Sequence, residues 1–462
     1  LTFGAIRIPL EHTMFKPILE LAQDLAAGRT TSVRLVEQAL ERIAAHQAGG
    51  GTAFVRVDAD TARQAAQASD LARAAGVVPS PLAGIPVSIK DLFDVRGQVT
   101  TAGSRVLRDA APAQADAPAI ARLKQAGAVI VGRTNMTEFA FSGLGLNPHY
   151  GTPLAPWRAG GARIAGGSSS GAAVSVAEGM AAMGLGTDTG GSVRIPSAFC
   201  GLTGFKPTAR RVPTEGAFPL SQSLDSVGPL ARTVACCALT DAILAGEPPV
   251  LPVTLPAKGL RLGVPQDFVL EGLDETVARA FEQALSRLAA AGVVLTEIAT
   301  PEWRDLPAVN IHGGYSPIEA WAVHRERLAA REAEYDPRVA VRIRRGAAAS
   351  AADYLELQAV RGRLIRSFET KAQGHDAWVM PTVPVVPPLL APLETDDELY
   401  AKTNLLVLRN PSVINFLDGC ALTLPCQGRG TGDAPVGLML AAPALRDRHL
   451  LRSGLAVEQA LA

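Results

Sequence analysis

Between residues 15 and 45 apolar side chains recur at helical spacing, with Ser32 placed as an N-cap for a helix over residues 33–44. Residues 58–75 are alanine-rich with their charges on one face, which predicts a solvent-lined helix. A short apolar run over residues 86–89 stops at Lys90 and Asp91. A helical stretch at 117–126 then leads into a short buried strand at 128–131. Such alternation predicts a parallel or mixed sheet covered by helices.

The texture changes between residues 159 and 204, where Gly, Ser, Ala and Thr dominate. Gly160-Gly161, Gly166-Gly167-Ser168-Ser169-Ser170-Gly171 and residues 184–192 carry most of them. Val174, Val176, Met180, Met183, Leu185, Val193 and Ile195 are interleaved with these small residues. A linker would lack that apolar content, so the stretch reads as backbone packed closely around something. After residue 229 the α/β pattern returns, with strands at 259–264 and 293–298 flanking a helix at 275–291. Residues 301–375 read as mostly helical and charge-rich, and residues 377–380 as a strand that breaks into Pro381-Thr382-Val383-Pro384. The basic run at 338–345 is balanced by Glu332, Glu334 and Asp336, so it reads as a solvated helix face. No internal repeat is evident.

Charge narrows the classes of function. The 462 residues hold 44 basic and 44 acidic side chains, so no net basic excess is available for nucleic acid. No run approaches the ~18 apolar residues of a membrane span. Residues 1–13 lack a basic segment leading into an apolar one, so no secretory signal is expected. Five cysteines without a CxxC pair fit buried thiols in a reducing cytoplasm better than disulfides or a zinc site.

Three kinds of chemistry compete. A metal or histidine site is poorly served: the seven histidines form no HExxH or ligand-like pair. Gly167-Ser168-Ser169-Ser170-Gly171 formally matches G-x-S-x-G. However, the residues before it make a poor strand, and nothing around His449 supports a base. The third candidate is a nucleophile served by lysine. Lys90 follows an apolar strand, and burial among hydroxyls would lower its pKa until it could accept a proton. Thr189-Gly190-Gly191-Ser192 could then aim several backbone N–H groups at one point, as an oxyanion requires.

Taken residue by residue, these pieces resemble the amidase signature family. The resemblance runs from Gly84-Ile85-Pro86-Val87-Ser88-Ile89-Lys90-Asp91 through Gly132-Arg133-Thr134-Asn135-Met136-Thr137-Glu138-Phe139-Ala140 to Asn147-Pro148-His149-Tyr150-Gly151. It continues in Gly166-Gly167-Ser168-Ser169-Ser170-Gly171, Gly186-Thr187-Asp188-Thr189-Gly190-Gly191-Ser192-Val193-Arg194, Cys200-Gly201 and Phe205-Lys206-Pro207-Thr208. It is dense over residues 80–235, looser elsewhere, and returns at 376–384 and at Pro435-Val436-Gly437-Leu438.

The resemblance implies one large α/β domain, a mixed central sheet with helices on both faces. Residues 1–75 would be an N-terminal helical part of that domain and 76–462 the amidase signature domain proper, with the catalytic core at 80–235. It implies a Ser–cisSer–Lys triad: Ser192 the nucleophile, Ser168 a serine held by a cis peptide bond, and Lys90 the base. Thr189, Gly190 and Gly191 would form the oxyanion hole with Ser192. Ser169 would support the lysine, and Asp188 and Arg194 would hold the nucleophile loop. Cys200 reads as small-residue packing. The expected reaction is hydrolysis of a carboxylic amide through an acyl-enzyme, with no metal or organic cofactor. The expected partner is a small-molecule amide, not nucleic acid or membrane, and homodimers occur in such families.

The family also includes the glutaminase component of tRNA-dependent amidotransferases and specialised hydrolases of small amides and urea derivatives. The segment Asn147-Pro148-His149-Tyr150 is more like the stand-alone amidases. A pocket drawn from Met136, residues 310–345 and residues 414–417 would be mostly apolar and favour a hydrophobic or aromatic group.

Overall fold

The computed structural model describes residues 14–310, 312–427 and 432–462. The expectation for the N-terminal 13 residues, His12 among them, lies outside the described residues. Eleven strands form one mixed sheet: β1 (Phe54–Val57), β2 (Pro86–Lys90), β3 (Val129–Thr134), β4 (Met183–Thr187), β5 (Thr203–Lys206), β6 (Val227–Ala231), β7 (Arg261–Pro265), β8 (Val294–Ile298), β9 (Ala377–Pro381), β10 (Cys420–Pro425) and β11 (Gly437–Ala442). Their order is β1-β3-β2-β4-β6-β5-β10-β11-β9-β7-β8. β2 runs parallel to both β3 and β4, and β7 parallel to β8 and β9, while the strands between these groups pair antiparallel.

Successive side chains of a strand point to opposite faces, and here both faces are covered. From β9, β10 and β11, Ala377, Val379, Leu422, Leu438 and Leu440 enter one apolar cluster. Their neighbours Trp378, Met380, Ala421, Met439 and Ala441 enter another. That is why β2, β4, β9 and β11 are buried at every position and read as continuous apolar runs rather than alternating ones.

Two N-terminal details differ from the sequence reading. The cap of the helix Ser32–Ala48 is Thr31, whose hydroxyl accepts from Arg34 N at 3.1 Å. The Ser32 hydroxyl instead donates to Gly84 O at 2.8 Å, tying this helix to the turn before β2. The same region also supplies β1, which pairs antiparallel with β3.

Residues 301–375 are helical as read, chiefly Tyr315–Arg331, Pro337–Arg345 and Ala351–Lys371. The last starts at a reciprocal Ser350–Asp353 capping box. The basic run is not uniformly solvated. Arg338 and Arg342 stack over the Tyr400 ring, and Arg342 Nη1 donates to Phe141 O at 2.7 Å. Among the described residues no helix is long and apolar enough to cross a membrane.

Candidate active site

Lys90 ends β2 and Thr187 ends β4, its parallel neighbour. Ser88, two residues before Lys90 and therefore on the same face, meets Ser175 Oγ at 2.8 Å on the helix Ser170–Ala177. That helix covers this face of the sheet, so its N-terminal approach, Gly167-Ser168-Ser169, is delivered above Lys90. The Gly167–Ser168 peptide bond is cis. Glycine at 167 allows this close approach: a Cβ there would lie 2.6 Å from Gly145 N and 2.8 Å from Thr137 Oγ1.

Lys90 is fully buried. Its Nζ donates to Ser168 Oγ at 2.7 Å and to Thr187 Oγ1 at 2.8 Å. Burial penalises the ammonium and brings the amine down from 10.5 to about 7, against the opposing pull of Asp225 and Asp188. Ser169, expected to support the lysine, does not reach it; its hydroxyl donates to Thr187 O at 3.4 Å. The supporting hydroxyl belongs to Thr187, which in sequence looks like an ordinary strand residue.

Ser192 is buried as well. Ser169 N donates to Ser192 O at 3.2 Å, so the two serine segments are in backbone contact. Asp188 shapes the loop between Thr187 and Ser192. Its carboxylate accepts from the amides of Gly191 (2.9 Å), Val193 (3.1 Å) and Arg194 (3.3 Å). The Arg194 guanidinium grips it through Nε at 3.0 Å and Nη2 at 2.8 Å, and Asn415 Nδ2 adds a bond at 2.9 Å. Burial alone would raise this carboxyl. The charge and hydrogen bonds of Arg194, with the Lys206 charge and the Asn415 hydrogen bond, together outweigh it and hold Asp188 well below the usual carboxylate range.

The Gly191 amide, expected among the oxyanion donors, is therefore spent on Asp188. The amides of Thr189, Gly190 and Ser192 have no acceptor among the described residues. Gly190 faces Leu408 and Ser412 of the helix Asp397–Phe416, the element that also carries Asn415.

A small cavity opens beside Thr187 and Thr189, walled further by Ala140, Phe218, Leu220, Gln222 and Asp225. Met136, expected in the pocket, does not line it. Its side chain is fully buried in the main core, close to Gly103. Ile414 is likewise buried, in the second cluster. His449 pairs with Asp376 at 3.0 Å. Among the described residues no three His, Cys, Asp or Glu side chains are grouped to hold a metal ion.

The family model described as Amidase matches residues 34–451. The chain belongs to the Amidase family. It is 39% identical over 410 residues, 88% of each chain, to 2-amino-5-chloromuconic acid deaminase of Comamonas testosteroni. It is 36% identical over 467 residues, 93% of each chain, to a glutamyl-tRNA(Gln) amidotransferase component of Roseiflexus sp. (strain RS-1). Among solved structures, an amidase crystal structure superposes with a TM-score of 0.86 at 34% identity, over 96% of this chain and 99% of that one. Hydrolysis of C–N amide bonds is the chemistry this amidase shares with its family.

Proposed function

We propose that this amidase hydrolyses a small carboxylic amide through an acyl-enzyme on Ser192, with Ser168 as proton relay and Lys90 as base. The observation that carries the reading is a fully buried Lys90 whose amine, at about 7, is hydrogen-bonded to Ser168. As a free amine, Nζ keeps N–H donation to Thr187 and offers its lone pair to the Ser168 O–H. Ser168 Oγ in turn takes the proton that Ser192 loses as it attacks the carbonyl carbon. The oxyanion that forms is received by the amides of Thr189, Gly190 and Ser192, which have no other acceptor among the described residues. As the tetrahedral intermediate collapses, the relay returns the proton to the leaving nitrogen, and ammonia or an amine departs. Water then repeats the sequence on the ester.

The cavity wall sets aromatic and aliphatic groups, Phe218 and Leu220, beside polar ones, Gln222 and Asp225. That supports a compact substrate of mixed polarity rather than a long lipid chain. A second reading, an ammonia-supplying glutaminase within a larger assembly, is favoured by the 36% identity to the amidotransferase component over nearly the whole chain.

The test is ammonia or amine release from aliphatic, aromatic, anilide and amino-acid amides, glutamine included, for the wild type and Ser192→Ala. Hydrolysis of one class that vanishes in Ser192→Ala supports the stand-alone amidase. Hydrolysis of glutamine alone moves the case to the second reading. Turnover that survives Ser192→Ala overturns the acyl-enzyme.

A further inference from the structure

The antiparallel pairing of β4 with β6 does not stop at Thr187 and Val227. Its register continues into the nucleophile loop. Asp188 and Ser226 exchange backbone bonds at 2.8 and 3.2 Å, and the Ser226 hydroxyl adds a third to Asp188 O at 2.9 Å. One step further Thr189 lies opposite Asp225, where the ladder ends and a side chain takes over: Thr189 Oγ1 donates to Asp225 Oδ1 at 2.5 Å. The other carboxylate oxygen accepts from the Leu220 and Ser221 amides at 3.0 and 3.1 Å. Behind it stands Glu319 of the helix Tyr315–Arg331. Its carboxylate accepts from the Ser221 and Ser223 hydroxyls, the Ser223 amide and the Tyr354 hydroxyl. Asp225 thus sits in a loop clamped from outside, and it forms no ion pair among the described residues.

We propose that Asp225 is a positioning residue for the amidase reaction. Through the Thr189 hydroxyl it fixes the Thr189 and Gly190 peptides so that their amides face the reacting carbonyl. The proposal rests on the acyl-enzyme reading above. Its physical basis is that Asp188 anchors this loop only at Gly191 and beyond. Thr189 and Gly190 lie between that anchor and the end of the sheet, and glycine contributes no side chain. The single hydroxyl-to-carboxylate bond is what resists rotation of those peptides, and preorganised donors act only when aimed beforehand.

The experiment is the pre-steady-state burst of nitrophenol from 4-nitrophenyl acetate, together with KM for that ester. Thr189→Val keeps the shape and removes the hydroxyl, Thr189→Ser restores a hydroxyl, and Asp225→Ala removes the acceptor itself. Removing a whole oxyanion donor costs about 100–1,000-fold in rate. A misaimed donor in Thr189→Val should therefore slow acylation by about 30-fold with KM moving less than about threefold. Thr189→Ser should recover most of that loss, and Asp225→Ala should show it in the same direction. Wild-type burst rates in both Thr189→Val and Asp225→Ala overturn the proposal, as does a failure of Thr189→Ser to rescue. A burst that survives Ser192→Ala would instead sink the acyl-enzyme reading itself.

Discussion

A buried lysine that is neutral near pH 7 leaves a signature in stability as well as in rate. Replace Lys90 by Met, which keeps an unbranched stem and drops the nitrogen. In the wild type the unfolded chain holds the Lys90 proton up to about 10.5, whereas the folded chain releases it near 7. Between those values the unfolded state binds more protons, so the Lys90 contribution to stability rises with pH. Below pH 7 the lysine is charged in both states, and the fold bears the cost of burying an ammonium that has hydroxyls but no paired carboxylate. A lowering from 10.5 to about 7, at about 1.36 kcal/mol for each unit, comes to about 5 kcal/mol over the full window. Between pH 6 and pH 9.5, where urea unfolding is practicable, about 3 kcal/mol of that should be visible. The assay is the unfolding free energy of wild type and Lys90→Met, taken as a difference at each pH. That difference cancels the titrating groups that do not interact with Lys90, the lost hydrogen bonds add only a constant, and the coupled Asp225 carboxyl, at about 6, adds its own shift chiefly at the acid end of the window. Lys90→Met should be favoured most at pH 6 and lose ground steadily above pH 7. Two parallel curves, within about 1 kcal/mol from pH 6 to 9.5, would mean that Lys90 titrates normally. Its assignment as the base would fall with that result.

Other parts of the site respond differently. Arg194→Met leaves the buried Asp188 carboxylate without its cation, which should cost about 3–5 kcal/mol in urea unfolding; a cost under about 1 kcal/mol would refute its role as anchor of the loop. Gly167→Ala would drive a Cβ to 2.6 Å from the Gly145 backbone nitrogen. It should lower stability by about 1–3 kcal/mol and amide turnover more steeply, and a fully active, equally stable variant would disprove that packing. All five cysteines are buried, and desolvation pushes the Cys200 thiol well above its ordinary range. Iodoacetamide at pH 8 should therefore leave the native enzyme active, and inactivation in step with labelling would contradict a serine mechanism.

Which parts are legible follows from how each residue is read. Pro86–Lys90 declares itself because an apolar run buried on both faces ends abruptly in a charge. The glycine-rich stretches declare themselves because only dense small residues permit such contacts. β1 escapes a reading by pattern because it is a four-residue edge strand with mixed burial. The helix Asp397–Phe416 escapes it because Pro411 interrupts the period. Partners are harder still. Thr187, Asp225, Asn415 and Glu319 matter through what they touch, across sequence gaps of 97, 36, 227 and 98 residues, and no local pattern announces such a contact. Ser169 shows the reverse error. Its neighbour faces the lysine, and its own hydroxyl turns instead to the backbone of β4.

The division of the chain around the sheet has an evolutionary consequence. The residues proposed as base, relay and nucleophile come from one contiguous stretch of about a hundred residues, anchored on β2 and β4 near one end of the strand order. The helices Tyr315–Arg331, Ala351–Lys371 and Asp397–Phe416, which press on the loops around that centre, arrive after the chain has laid down β7 and β8 at the opposite edge. Every residue that walls the cavity lies between 140 and 225, so drift or recombination in the later segment can act on it only at second hand, by shifting the loops it presses on. Those loops are held at several points, among them Glu319 on the 221–223 turn, Asn404 on Gly143 and Asn415 on Asp188, and a change at any of them would move the cavity wall without replacing a residue in it.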